Sequence, residues 1–158
     1  MKRLFLDTNI LVDLVCYRKP FVQEAERIFA LAAMGKVSIA ISAISYINTV
    51  YIARKYDLST QKVFEILKNI ASFTTITDLN ESTIKDALDC GWNDFEDAVQ
   101  YFSSQSFVAD CIITRNPKDF EKSSVLVYTP IEFLQMPYWM DTPNNQMLNE
   151  PDVRYGEQ

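Results

Sequence analysis

The sequence contains no histidine, and its three cysteines form no CxxC pair. Without histidine there is no Ser-His-Asp triad and no imidazole general base, and most zinc sites are excluded as well. The odd number of cysteines, in apolar or helical contexts, predicts reduced and buried thiols. These cysteines are Cys16, Cys90 and Cys111. Any chemistry must therefore use carboxylates, amides, hydroxyls, lysine or arginine.

Long apolar segments are absent too. No run approaches the roughly 20 residues that a membrane-spanning helix needs, and the first apolar segment is followed too soon by Asp7 to be a signal peptide. The 158 residues are 48% apolar and 23% charged, as in one globular domain with a sizeable core. We therefore expect a cytoplasmic protein that does not associate with membranes.

The net charge of −6 is unfavourable for broad binding to nucleic acids, which normally needs a basic surface. Half of this charge lies in residues 137–158, which carry a net −3, and the preceding 136 residues carry the other −3. A nucleic-acid-binding protein of this composition would depend on few basic residues and on a bound cation. Clustered acids are what such a cation site requires, so the charge does not exclude one.

Helical and extended patterns alternate along the chain, which predicts an α/β fold with a largely parallel sheet. The predicted strands are residues 2–6, 37–41, 73–77, 110–114 and 124–128. The predicted helices are residues 8–16, a helix from Pro20 to Gly35, a helix from Ser42 to Lys55, one beginning at Ser59, and residues 80–90 and 94–104.

Acidic and amide side chains stand at three element ends. Asp7-Thr8-Asn9 follows the first strand, Asn93-Asp94-Phe95-Glu96-Asp97 begins a helix, and Asn116 and Asp119 follow the strand 110–114. Carboxyl ends of parallel strands lie at the edge where α/β proteins bind ligands. Three such clusters can converge on one divalent cation, and oxygen ligands favour Mg²⁺ or Mn²⁺.

Four segments together resemble a PIN domain over residues 1–136. They are Leu6 to Asp13, Asp94 to Gln100, Thr114 to Phe120 and Tyr128 to Leu134, in the family's order and with its spacing. The resemblance implies a three-layer α/β/α sandwich with a central, mostly parallel sheet. It also implies a metal-dependent ribonuclease that cleaves single-stranded RNA, as in the VapC-type toxins of toxin–antitoxin pairs.

The same resemblance implies the site. The expected catalytic residues are Asp7, Asp97 and Asp119. The expected ligands of Mg²⁺ or Mn²⁺ are Asp7, Asp94, Asp97, Asn116 and Asp119. Thr8, Asn9, Asn48, Thr114 and Arg115 are the expected supporting residues. Ordinary roles remain open for several of them: Asp94 and Asp97 suit a helix N-terminus, and Arg115 suits a surface ion pair. Glu96 and Asp13 are interpreted as surface residues.

Asn48 departs from the family pattern, in which an acidic residue commonly stands about six residues after a serine, here Ser42. An amide supplies a neutral oxygen, so metal affinity and catalysis are expected to be lower. The alternative function is therefore a weak or inactive PIN domain that binds nucleic acid or protein. A third class, Asp-dependent phosphotransfer, is disfavoured because Asn9 stands where a dehalogenase-like site needs a second aspartate.

Two expectations concern assembly. The partners implied by the resemblance are RNA, an antitoxin-like protein and a second copy in a homodimer, with Tyr46, Tyr51 and Tyr101 as candidate contacts. Residues 137–158 are rich in proline and asparagine and are expected to form an extended C-terminal tail, in which Tyr138 and Trp139 pack against a surface.

Overall fold

Five short strands form one parallel sheet at the centre of the protein, and the computed structural model describes residues 1–137 of the chain. The strands are β1 (Lys2–Leu6), β2 (Val37–Ser42), β3 (Thr75–Thr77), β4 (Cys111–Ile113) and β5 (Leu126–Tyr128). Their order across the sheet is β3-β2-β1-β4-β5, and every neighbouring pair is parallel. The prediction of a mostly parallel sheet is confirmed.

The helices alternate with these strands, as the sequence pattern predicted. They are α1 (Thr8–Val15), α2 (Val22–Ala33), α3 (Ala43–Ala53), α4 (Thr60–Ala71), α5 (Glu81–Asp89), α6 (Phe95–Ser106), a 3₁₀ turn (Pro117–Phe120) and α7 (Pro130–Leu134). The last helix was not predicted, although Thr129 and Glu132 form a capping box at its start. Strands β3, β4 and β5 are shorter than predicted.

The two faces of the sheet bury separate cores. Leu4 and Leu6 of β1 pack with residues of α1, α2, α3, α4 and α7, whereas Phe5 packs on the other side with Tyr101, Phe107 and the 3₁₀ turn. Successive side chains of a strand point to opposite faces, so β1 contributes to both cores. The predicted three-layer α/β/α sandwich is therefore confirmed.

The chain adds its strands on one side of β1 first and then on the other side. The chain moves from β1 to β2 and β3 on one side, then crosses to β4 and β5 on the other. In open α/β sheets such a switch point leaves a crevice at the carboxyl ends of the strands, where ligands bind. Asp7 lies at this point, because its backbone N–H donates to the carbonyl of Ile113 at the end of β4 (3.0 Å).

Two predictions concern residues after 137. The positions proposed for Tyr138 and Trp139, and the extended tail to which they belong, lie outside the described residues. Within residues 1–137, no helix has the length and apolar content that crossing a bilayer requires.

Candidate functional site

Asp7 is a buried carboxylate held in one orientation by three donors. As the N-cap of α1, it accepts from the backbone N–H of Thr8 at 2.7 Å through Oδ1. Its Oδ2 accepts from Asn9 Nδ2 at 2.8 Å and from Thr114 Oγ1 at 2.7 Å. Because these donors come from α1 and from the end of β4, helix α1 and strand β4 jointly fix the carboxylate. Thr8, Asn9 and Thr114 therefore each donate a hydrogen bond to Asp7.

The surroundings of Asp7 make its negative charge costly. The side chain is almost fully removed from water, and this desolvation raises its pKa to about 6. The hydrogen bonds from Thr114 and Thr8 oppose the rise, whereas the charges of Glu96 and Asp119 add to it. Asp7 thus has neighbours of its own sign.

Asp97 lies in the first turn of α6, where the side chain of Asp94 caps the helix by accepting from the Asp97 N–H (3.0 Å). Desolvation is the main reason that the pKa of Asp97 is raised to about 7. Repulsion from four carboxylates raises it further; in decreasing order they are Asp94, Asp7, Asp119 and Glu96. The fold therefore gathers the three predicted catalytic aspartates into one electrostatically coupled group.

A cleft of about 230 Å³ opens beside this group. Its walls combine acids with two lysines and an indole: Trp92, Asn93, Asp94, Asp97, Lys118, Asp119, Glu121 and Lys122. Lys122 Nζ donates to the carbonyl of Gly91 (3.1 Å), which joins the loop before α6 to the loop after the 3₁₀ turn. Aspartates and lysines that line one cleft suit an anionic substrate that is bound together with a cation.

A buried polar network lies behind Asp7, and its centre is Gln100 of α6. Gln100 Nε2 donates to Thr8 Oγ1 (2.7 Å) and Ser45 Oγ (2.8 Å), while its Oε1 accepts from Ser42 Oγ (2.7 Å). All of these side chains are buried. The network joins α1, the end of β2, α3 and α6, so it fixes the helix that carries Asp97 relative to the strand that carries Asp7.

Sequence reasoning missed Gln100 and misjudged Glu96. Glu96 is solvent-exposed, yet its Oε1 accepts from Asn48 Nδ2 at 2.8 Å and from Thr8 Oγ1 at 3.4 Å. It therefore faces the site instead of being an ordinary surface residue. The sequence offered one signal: Glu96 and Gln100 are four residues apart and therefore share one helix face. In the structure, both side chains form hydrogen bonds with Thr8.

Asp13 is not the surface residue that its position on α1 suggested. Only 1% of its side chain is exposed, and it forms ion pairs with Arg115 Nε (2.7 Å) and Arg18 Nε (3.4 Å). Burial raises the pKa of its carboxyl, and the two arginines limit the rise. The guanidinium of Arg115 also lies over the ring of Phe21, 4.0 Å from its centroid. Arg115 is thus bound to Asp13 in an ion pair that is largely buried, instead of the surface ion pair that its sequence suited.

Asn116 stands apart from the acidic cleft. It lines a second, more apolar cavity of about 520 Å³, together with Pro20, Phe21, Glu24, Arg115, Thr129, Pro130 and Ile131. Its backbone N–H donates to Thr114 Oγ1 (3.1 Å), so it remains linked to Asp7 through Thr114. Asn116 does not line the acidic cleft, but its carbonyl accepts from the backbone N–H of Asp119 (3.0 Å), so it lies at the margin of the aspartate group.

The donor set fits a hard divalent cation in its chemistry. It consists of carboxylate oxygens, and within residues 1–137 no lysine or arginine forms an ion pair with Asp7, Asp97 or Asp119. Among these same residues, however, no three acidic or cysteine side chains are grouped closely enough to hold a metal ion as they stand. A cation would have to draw the carboxylates closer together.

The three tyrosines proposed as partner contacts differ in exposure. Tyr101 is buried and stacks on Trp92, with ring centroids 4.9 Å apart, so its assignment to an interface was wrong. Tyr46 packs against the core from a partly buried position. Tyr51 is 61% exposed and remains a candidate contact.

A parallel α/β sandwich with an acidic cleft at its switch point defines the class, and comparison with known proteins defines the family. A family model described as the PIN domain matches residues 3–118. The chain belongs to the PIN domain family, as the four motifs suggested.

Solved structures show the same fold. A chain of a toxin–antitoxin complex from Klebsiella pneumoniae is 28% identical, has a TM-score of 0.60, and is similar over 80% of this chain and 97% of its own length. A chain of VapBC2 from Rickettsia felis, bound to a promoter DNA fragment, is 18% identical with a TM-score of 0.58, over 80% of this chain and 98% of that one. VapC20 from Mycobacterium tuberculosis, a toxin that cleaves the sarcin-ricin loop, is 14% identical with a TM-score of 0.55, over 69% and 86%. No curated protein sequence matches this chain.

Proposed function

We propose that the protein is a divalent-metal-dependent endonuclease for single-stranded RNA and the toxin of a toxin–antitoxin pair. One observation carries the proposal: Asp7, Asp97 and Asp119 repel one another at the switch point of the sheet, beside a cleft that also presents lysines. Like charges gathered around the buried Asp7 are unfavourable unless a cation or a proton compensates them. The proposed cation is Mg²⁺ or Mn²⁺.

The residues around the cleft would have different roles in binding the cation and the RNA. Asp7, Asp97 and Asp119 would hold the cation, with Asp94 and Asn116 at the margin of the site. The bound ion would lower the pKa of a water and neutralise charge on the scissile phosphate. Lys118 and Lys122 line the same cleft and would bind neighbouring phosphates. No histidine is required for these roles, in keeping with its absence from the chain.

The toxin role draws support from the Klebsiella pneumoniae chain, which comes from a toxin–antitoxin complex. Exposed apolar side chains offer a surface for an antitoxin-like partner or a second copy: Ile47 and Tyr51 on α3, and Phe64 on α4. A Tyr51→Asp variant should then form fewer dimers or complexes in light scattering, with an unchanged melting temperature. Equal association by the variant would remove Tyr51 from the interface.

The test of the proposed activity is cleavage of single-stranded RNA by the purified protein in Mn²⁺, in Mg²⁺ and in EDTA. We expect cleavage with either ion, none in EDTA, and none from an Asp97→Asn variant. Asp57→Asn is the matched control, because Asp57 is exposed in the loop between α3 and α4. Cleavage that persists in EDTA would contradict metal dependence.

A second candidate function is a binding module without nuclease activity, and Asn48 is the observation that favours it. The neutral amide stands where the family commonly has an acid, and it already donates to Glu96. In that case the protein would bind RNA or protein partners without cleaving RNA in any metal. The same assay separates the two functions when it is accompanied by an RNA-binding measurement.

A further inference from the structure

The contact between Asn48 and Glu96 is the one side-chain hydrogen bond between α3 and the acidic start of α6 in the described residues. Asn48 lies in the middle of α3, and Glu96 is the second residue of α6. The two atoms, Nδ2 and Oε1, are 2.8 Å apart. A charged acceptor makes this a strong hydrogen bond for a neutral donor.

The polarity of this bond is informative. An amide at position 48 can donate to a carboxylate, whereas a carboxylate there would face Glu96 as a like charge. The pair therefore works with one acid and one amide, and in this chain the acid is on α6. The family commonly has an acidic residue at the position of Asn48 on α3. In this chain the negative charge is instead on Glu96 of α6.

Glu96 is also coupled to the aspartates. Its Oε1 lies 3.4 Å from Thr8 Oγ1, next to the N–H group that holds Asp7. Its charge contributes to the raised pKa of both Asp7 and Asp97. A glutamate that pointed away from the site would have neither the two donors nor this influence on the buried Asp7 and the half-buried Asp97.

We propose that Glu96 is a working carboxylate of the metal site and that Asn48 is the residue that positions it. The inference rests on the proposed metal-dependent function, and it assigns the negative charge that Asn48 does not provide. It predicts that the acid and the amide can exchange positions without loss of the site, because the exchanged pair keeps both the charge and the hydrogen bond.

The experiment is calorimetric titration of the metal-free protein with Mn²⁺, without RNA. Glu96→Gln should weaken Mn²⁺ binding by roughly 10- to 100-fold, and Asn48→Ala by about tenfold, which is the range for residues that bind or orient metal ligands. The exchange variant Asn48→Glu/Glu96→Gln should return the affinity to within a few-fold of the starting protein. Glu26→Gln, an exposed glutamate of α2, is the matched control and should change nothing.

Thermal unfolding in EDTA accompanies each titration, so that weaker binding is assigned only to variants that melt like the parent. Glu96→Ala serves as a second variant that removes the charge. Unchanged Mn²⁺ affinity in Glu96→Gln and Glu96→Ala would overturn the inference while leaving the proposed function intact. An exchange variant that binds as weakly as Glu96→Gln would also overturn it. Absence of Mn²⁺ binding by the parent protein would instead refute the proposed function, and this inference with it.

Discussion

Helix α1 has a buried carboxylate near each end, and the two have opposite electrostatic surroundings. Asp7, at its start, is 7% exposed, and Asp13, near its end, is 1% exposed. Two guanidinium groups surround Asp13, whereas Asp7 receives hydrogen bonds from neutral donors and is repelled by other carboxylates. Burial alone therefore does not distinguish a structural acid from a functional one.

The sign of the neighbouring charges makes that distinction. Asp13 has its counterions within the chain, so its role is complete in the folded protein: it joins α1 to Arg18 and to Arg115 beyond β4. Asp7 lacks an internal counterion among the described residues, and the acids around it increase the cost of its charge. A site that needs an external cation has this second arrangement.

The largest effect that would test this comparison is the loss of activity in Asp7→Asn. We expect RNA cleavage to fall by on the order of 1,000-fold, because the substitution removes a charge that would hold the metal. The free energy of unfolding should fall by about 1–2 kcal/mol, because asparagine remains an N-cap and the repulsion disappears, whereas its amide nitrogen cannot accept from Asn9 Nδ2. A variant that is strongly destabilised would show that Asp7, like Asp13, is mainly structural.

Asp13→Asn should give the reverse result. Removing one partner of a buried ion pair leaves the other charge uncompensated, and the partial exposure of Arg18 and Arg115 moderates the cost to about 2–3 kcal/mol of unfolding free energy. Urea unfolding measures this value, with exposed Asp57→Asn as control. Mn²⁺ affinity should remain that of the parent. Loss of Mn²⁺ binding without loss of stability would place Asp13 in the functional site.

The sequence predicted what local chemistry determines. Ser42, Ser59 and Asp94 cap their helices as expected, because an N-cap needs only its own side chain and the next turn. The strands were located by short apolar segments, and the acids at their ends follow from that location. The order of the elements before α7 could therefore be predicted from local patterns, whereas the choice of Asp7, Asp97 and Asp119 came from the resemblance to the family.

The residues that were misjudged depend on contacts between distant segments. Asp13 meets Arg115, 102 positions later in the chain, and no local pattern indicates that pairing. Glu96 lies on the exposed side of its helix, and only the packing of α3 against α6 brings Asn48 within hydrogen-bonding distance of it. Tyr101 is buried because Trp92 stacks on it and Phe102 packs beside it. Tertiary packing decided each of these cases.

A smaller effect is expected from Gln100→Leu, which removes the centre of the polar network and keeps a similar volume. Thr8, Ser42 and Ser45 would lose their shared partner but could still bond to one another, so we expect a loss of about 1–2 kcal/mol of unfolding free energy. Because α6 would be less firmly fixed, Mn²⁺ affinity should fall as well. A change in stability alone would limit Gln100 to a packing role.

The smallest effect concerns the pH dependence of the metal-free protein. The folded-state pKa values of about 6 for Asp7 and about 7 for Asp97 lie above the ordinary value of 3.8. The folded protein therefore binds these protons more tightly than the unfolded chain does. Their contribution to stability is complete below pH 3.8 and is lost as the pH rises through 6 and 7.

In EDTA, the melting temperature should fall by a few degrees between about pH 5 and pH 8. The decrease should be smaller in Asp97→Asn, and saturating Mn²⁺ should abolish it, because the cation favours the charged carboxylates. Asp57→Asn should keep the slope of the parent. If the melting temperatures of the parent and of Asp97→Asn fell equally with pH, Asp97 would titrate like a solvated aspartate. The contrast with Asp13 would then lose its electrostatic basis.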